Sequence, residues 1–327
     1  MNLGIALLAL VAGIILLSKC ADVLVSGSVH LAKHFGIPPI VIGLTIVAMG
    51  TSAPEVAASI AAVFQGPRGG DIAIGNVFGS NIANLALVGG VVVLIRPLAI
   101  PARTLRFDMT IMLAVALLLW PILSDLAVTR PEALLLLTLF LGITGWTVFS
   151  VKRKRPVDLT APNIVLPETI TDPKHPLSRS LIYVVVGLIG LALGAKLAVF
   201  GAVSIGKLIG LSEAVIGLSI VALGTSLPEL VTCVVAALRG HDDLSVGNLV
   251  GSNIFNTLLV TGIAGVSRPF EVSPRFAGGN DYWAMITIGF VFLAFALLGR
   301  GTIGKKSGVL LLTGYVTYMS YTFITNT

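Results

Sequence analysis

Glu55 and Glu229 are the residues on which chemistry can be built, because each sits inside a long apolar run in nearly the same words. Leu44 to Ser59 reads LTIVAMGTSAPEVAAS and Leu218 to Cys233 reads LSIVALGTSLPELVTC. The shared GTSxPE blocks run from Gly50 to Glu55 and from Gly224 to Glu229, 174 positions apart. A second shared block follows each, GNVFGSNIAN from Gly75 to Asn84 and GNLVGSNIFN from Gly247 to Asn256, so the chain is an internal duplication. A carboxylate at bilayer depth costs about 2.5 to 3.5 kcal/mol on insertion scales, so it is read first as a functional group. Two of them in equivalent places suggest one shared cation site.

The neighbours of the two glutamates extend that reading. Thr51, Ser52, Thr225 and Ser226 add hydroxyl oxygens. Pro54 and Pro228, each preceded by a nearby Gly, loosen the helix and leave carbonyl oxygens to be satisfied by protein, water or an ion. Ser80 and Asn84 lie one turn apart on one helix face, as do Ser252 and Asn256. An all-oxygen set of this kind suits hard cations such as Ca2+ or Na+. The four histidines, His30, His34, His175 and His241, read as loop residues, so zinc and copper are not expected. Two carboxylates about 4 to 5 Å apart repel by roughly 4 kcal/mol at an effective dielectric of 20, so protons should compete with the cation.

Other polar positions carry weaker expectations. The Gly-x-x-x-Gly pairs Gly75/Gly79 and Gly247/Gly251 are expected to let helices approach closely. Asp71 and Asp243 are equivalent and are expected to N-cap helices, with cation collection at the two mouths as the alternative. Ser59 and Cys233, one turn after each glutamate, fit either a path lining or helix packing. Asp22 and Lys196 are equivalent too, and Asp22 is expected to meet Lys19. Cys20 and Cys233 fall in apolar runs and read as buried thiols rather than a disulfide.

The elements that must position these groups are membrane helices. The chain of 327 residues is 56% hydrophobic and 11% charged, with a mean hydropathy of +1.00, which excludes a soluble domain. A crossing takes about 20 apolar residues. Ten candidate spans emerge, at 3–28, 37–64, 72–95, 107–124, 131–151, 179–206, 211–238, 244–267, 281–299 and 307–325. The first lacks a basic leader and a cleavage site, so it reads as a membrane helix and not a signal peptide. Although the net charge is +6, no aromatic-basic module points to nucleic acid.

Five spans per repeat is an odd number, so the second half must enter the membrane the opposite way. Such inverted repeats place substrate near the midplane, on helices broken by Gly or Pro. The positive-inside rule then orients the chain. With the N-terminus outside, the inner loops hold Lys33, Arg96, Arg103, Arg106, Lys152, Arg153, Lys154, Arg155, Lys174, Arg179, Arg239, Arg300, Lys305 and Lys306. The outer loops hold only Arg68, Arg130, Lys207, Arg268 and Arg275. Both termini are therefore expected on the outer side of the plasma (inner) membrane. Residues 1–150 form the first repeat with its motif at 44–84, and residues 179–327 the second with its motif at 218–256. Between them, 151–178 contains five prolines and reads as an extended cytoplasmic linker.

On these doubled blocks the chain resembles the cation/calcium exchanger superfamily, specifically the prokaryotic sodium/calcium antiporters with two alpha-repeats. The resemblance covers almost the whole length. It implies an all-α polytopic membrane protein of ten transmembrane helices in two inverted five-helix repeats, in which the long first helix of each half slides past a fixed core. It also implies a central Ca2+ site made by Glu55 and Glu229 with Thr51 and Thr225. Flanking Na+ sites would use Ala48, Thr51, Ser52, Ser80 and Glu229 on one side, and Ala222, Thr225, Ser226, Ser252 and Glu55 on the other. Ala48 and Ala222 would act through backbone carbonyls. Some archaeal relatives and the potassium-dependent exchangers resemble this pattern with Asp at the position of Asn256, whereas Asn84 and Asn256 here are both amides, which weakens the case for K+ co-transport.

The expected activity is exchange of Ca2+ for Na+ by competition at the shared glutamates, with membrane lipid as surroundings and no cofactor or obligate protein partner. A proton-driven exchanger of Ca2+ or another divalent cation is the alternative. A channel would build its pore around an oligomeric axis. An enzyme would need a nucleophile and base, or a phosphate loop, and the sequence has neither.

Overall fold

The computed structural model describes residues 2–66, 68–152, 176–210 and 222–326, all of it helical apart from turns and four two-residue strands. The helices are α1 (Leu3–Phe35), α2 (Pro39–Thr51), α3 (Ala53–Val63), α4 (Gly69–Ile95), α5 (Thr104–Leu123) and α6 (Arg130–Lys152). They continue as α7 (Leu177–Leu208), α8 (Ala222–Thr225), α9 (Leu227–Leu238), α10 (Asp242–Ser267), α11 (Asn280–Leu298) and α12 (Lys305–Asn326). Among the described residues seven helices are long and apolar enough to cross a membrane, and the bent pair α2–α3 makes an eighth. Most of the expected linker, together with residues 218–221 of the second motif, lies outside the described residues.

Local chemistry sets the helix ends. Asn2 caps α1, its side chain accepting from Gly4 N at 3.1 Å, and Gly36 ends the helix in the left-handed conformation at φ 62°. The expected break falls between α2 and α3, which meet at 41°. Pro54 stands in the first turn of α3 rather than inside a continuous helix, where its missing N–H costs no hydrogen bond. Ser52 is the hinge residue at φ −85°, ψ 6°, and Ser226 repeats it at φ −87°, ψ 3°.

Two cores organise the packing. The larger joins α3 to α6 with α9 to α12, around Phe78, Met109, Leu119, Tyr282 and Phe292. The smaller joins α1 and α7 to parts of α2 and α9. α1 and α7 run antiparallel along a seam of glycines: a Cβ on Gly13 would come within 2.4 Å of Ala198 N, and one on Gly201 within 2.5 Å of Leu10 N. Gly187 similarly faces the Leu24 backbone, and Gly190 faces Cys20. Both cysteines are free and buried. Large apolar side chains such as Leu8, Leu141, Trp146 and Leu298 point outward, as a lipid-facing surface requires.

The strands were not expected. Leu98–Ala99 (β1) pairs antiparallel with Thr302–Ile303 (β4), and Ala127–Val128 (β2) with Phe270–Glu271 (β3). Each pair takes one strand from each half of the chain. They satisfy backbone groups where loops leave the helices, and so tie the halves together.

Several polar expectations are corrected. Asp71 and Asp243 lie in first turns rather than at N-caps, which are Arg68 and His241. Asp71 instead accepts from Ser273 N at 2.7 Å and clamps a loop of the other half. Asp22 pairs with Arg239 at 2.8 Å, not with Lys19, because α1 lays it against the end of α9. His30 and His34 belong to α1 and not to a loop. His241 is the buried cap of α10; burial, then Arg239 and Lys33, push it down to about 4, so it is uncharged at neutral pH.

Candidate functional site

The hinge between α2 and α3, its counterpart before α9, and the middles of α4 and α10 converge in the interior. Glu55 and Glu229 are each 1% exposed and sit in the first turns of α3 and α9, directly after the hinge serines. A carboxylate is favoured there by the first-turn N–H groups. One hydrogen bond crosses between halves, Ser52 Oγ donating to Glu229 Oε1 at 3.0 Å, while Ser80 Oγ, from the same half, donates to Glu55 Oε1 at 3.3 Å. The Thr51 hydroxyl lies 3.2 Å from Asn248 Oδ1 and 3.4 Å from the Ala48 carbonyl oxygen.

What is left over matters more. Glu55 Oε2 and Glu229 Oε2 are buried with no hydrogen-bond partner among the described residues, as are Ser226 Oγ and both polar side-chain atoms of Asn84 and of Asn256. A buried polar atom without a partner costs about 1 to 3 kcal/mol, more when charged. Unpartnered oxygens on two carboxylates, one hydroxyl and two amides are a set that a hard cation can satisfy. Among the described residues no cluster of three or more His, Cys, Asp and Glu competes for it.

Asn84 and Asn256 owe their position to local helix geometry. Each lies in a π-helical turn, Ala83–Val88 in α4 and Asn256–Val260 in α10, and a third such turn, Gly43–Val47, runs up to Ala48. The extra residue in such a turn shifts the following side chains around the axis, and π turns concentrate at functional sites.

The repeats are not mirrored contact for contact. Ser252 Oγ donates to Asn248 Oδ1 at 3.4 Å instead of to a glutamate. The Ala48 carbonyl already accepts from Ser52 N at 3.0 Å and from Thr51, so serving a cation means releasing the hydroxyl. Ala222 and Thr225 lie in α8, at the equivalent position of the second half.

Four asparagines of the shared blocks were not singled out as supports. Asn76 Nδ2 donates to the Glu55 carbonyl oxygen at 3.2 Å and to Ser59 Oγ at 3.0 Å, which holds α3 against α4. Asn248 repeats the second contact, donating to Cys233 Sγ at 3.3 Å. Ser59 and Cys233 are therefore packing links. Asn81 reaches across the halves to Thr257 Oγ1 at 2.9 Å, and Asn253 bonds back to the Leu249 carbonyl at 2.7 Å. The available signal was an asparagine repeated inside an apolar run. Gly247 and Gly251 do allow a close approach, to the α2 backbone at Ile40 and Leu44, whereas Gly79 meets nothing within 4 Å among the described residues.

Comparison with known proteins agrees with this architecture. The family described as "Sodium/calcium exchanger protein" matches residues 5–149 and 179–324. The putative antiporter CaxA of Alkalimonas amylolytica is 37% identical over 322 residues, covering 98% of this chain and 99% of that one. The sodium/calcium exchanger MaX1 of Methanosarcina acetivorans is 31% identical over 348 residues, covering 97% and 98%. A solved structure of the sodium-calcium exchanger NCX_Mj, soaked with zero Na+ and Ca2+, superposes with a TM-score of 0.82 at 28% identity, covering 98% and 99% of the two chains. The chain, an all-helical membrane protein with two matching acidic blocks, belongs to the sodium/calcium exchanger family.

Proposed function

We propose that the protein is a secondary antiporter that exchanges Ca2+ for Na+ at one site shared by Glu55 and Glu229. The observation that carries this is the pair of buried carboxylate oxygens with no hydrogen-bond partner among the described residues, on glutamates whose other oxygens accept from Ser52 and Ser80. Ca2+ would be held by Glu55 and Glu229 with Thr51 and Thr225. Na+ ions would use Ala48, Ser52 and Ser80 on one side and Ala222, Ser226 and Ser252 on the other, with Asn84 and Asn256 as neutral neighbours. Because both ions need the same carboxylates, loading one displaces the other, and that competition couples the fluxes.

The division into two cores supports a reading of alternating access. The α1–α7 pair is packed through glycines, and its cluster reaches only parts of α2, α9 and α10, so sliding of the pair would leave most of the larger core's contacts in place. In this reading the ten helices form two inverted five-helix repeats, with both termini outside and the 151–178 linker in the cytoplasm.

Reconstitution in sealed vesicles tests the counter-ion. Uptake of radiolabelled Ca2+ should need an opposing Na+ gradient; uptake driven instead by a pH gradient would assign the protein to proton-driven exchange. Topology has its own check. With Cys20 and Cys233 replaced, single cysteines introduced beside Arg96 and beside Arg268 should label from opposite faces, and labelling from one face would sink the inverted arrangement.

Asn256→Asp should add a charge to the site without preventing folding. A charge about 7 Å from the cation interacts by roughly 2 kcal/mol at an effective dielectric of 20, so ion preference should shift of order tenfold. Unchanged selectivity and pH dependence would place Asn256 outside the ion's reach.

A further inference from the structure

Outside the central site two more buried acids lie on membrane helices among the described residues, one of them Asp108, 8% exposed in the second turn of α5. Its repeat equivalent is Asp281, 173 positions later, and the two have different surroundings. Asp281 is fully engaged, by Arg275 Nε and by Tyr318 Oη at 3.1 Å. Asp108 has no such pairing. The nearby Arg103 turns its guanidinium to Ser150 Oγ at 2.5 Å, and no ion pair joins Asp108 to another described residue.

Asp108 opens onto a cavity of about 20 Å³ between α2, α5, α6 and α10, whose other polar lining is Thr45, Thr144 and Thr147. That is room for one water-sized body and not for a hydrated ion. Thr45 Oγ1 donates to the Val41 carbonyl at 2.6 Å, which spends its hydrogen and leaves its lone pairs for a cation. π-helical turns border the cavity on two sides, Gly43–Val47 and Thr104–Asp108, the second carrying Asp108 itself. The donors are all oxygen and the charge is single, which suits a monovalent hard cation better than Ca2+.

We propose that Asp108, with Thr45, Thr144 and Thr147, forms a second, peripheral site for one dehydrated monovalent cation of Na+ size. The cavity wall includes Leu44 and Gly251, one turn before Ala48 and directly before Ser252. An ion there sits one helix turn from the central ligands, on the side where α2 and α5 begin and α6 ends. Its use as a station for entering or leaving Na+ rests on the shared-glutamate reading; binding itself does not.

Equilibrium binding of radiolabelled Na+ to the purified full chain tests this. The background is Glu55→Gln/Glu229→Gln, which removes the charges of the central site; wild type saturated with Ca2+ serves equally if that variant does not purify. The expected result is a saturable Na+ component whose affinity falls about tenfold or more when Asp108→Asn is added. The near-isosteric Thr144→Val, which keeps the packing, should weaken it as well. Na+ binding that ignores both substitutions, or that is absent from the background, overturns the proposal and leaves a buried water in the cavity. Ca2+ flux in the single glutamine variants reads the central site separately, so either assignment can fail alone.

Discussion

Glu55→Gln and Glu229→Gln should each lose Na+-driven Ca2+ flux by about 10²- to 10⁴-fold while the protein still inserts and purifies as a single species. Glutamine keeps the size and hydrogen bonding of the side chain and removes only the charge that would balance the cation. Removing one partner of a buried charged pair costs about 3 to 5 kcal/mol, which sets that range. The contacts from Ser52 and Ser80 can persist to the amide oxygen, so folding has no reason to fail. Without Ca2+ the variants should be at least as heat-stable as the parent, because two buried carboxylates no longer face each other. Ca2+ at a hundred times its Kd should stabilise the parent by about 2.7 kcal/mol, and neither variant should show that gain. Thermal unfolding with and without Ca2+, beside vesicle flux, measures both; parent-like flux in either variant would return the glutamates to a structural role.

The second large effect is expected at the α1–α7 seam. Gly13→Leu and Gly201→Leu place a side chain where backbone atoms already stand, at Ala198 and at Leu10, and backbone cannot step aside as a flexible side chain can. Overpacking of this kind costs about 1 to 3 kcal/mol where neighbours yield, and more where they cannot. Each variant should lower the melting temperature by several degrees and cut exchange by about tenfold or more, since the two helices can no longer lie together. Gly142→Leu and Gly145→Leu on α6 are the controls: both glycines are exposed and meet nothing within 4 Å among the described residues. Their flux should stay within about twofold of the parent, in keeping with a neutral surface substitution. Equal loss at seam and control positions would mean that helix propensity, not close packing, governs these sites.

Membrane residence, the duplication and the family follow from the amino-acid sequence, because each is written in composition or in repeated words. Lipid leaves buried carboxylates, hydroxyls and amides few uses, so GTSxPE and GNxxGSNIxN mark a polar interior without any knowledge of contacts. The hinge was legible for the same reason: Gly and Pro act on the backbone where they stand, and Ser52 and Ser226 take up the break they impose. Pairing across the chain was not legible. Ser52 bonds to Glu229 and not to its neighbour Glu55, and Asp22 finds Arg239 and not Lys19, because a partner is chosen by how helices cross. Only tertiary structure decides that, through the glycines that set how close α1 comes to α7 and α2 to α10. The π turns add a second reason. One inserted residue rotates every later side chain by about 100° around the axis, and nothing in the apolar period announces it. Asn84 and Asn256 were thus readable as polar residues in lipid, but their unpartnered amides, and the cavity that Asp108 shares with three threonines, exist only once the helices are packed.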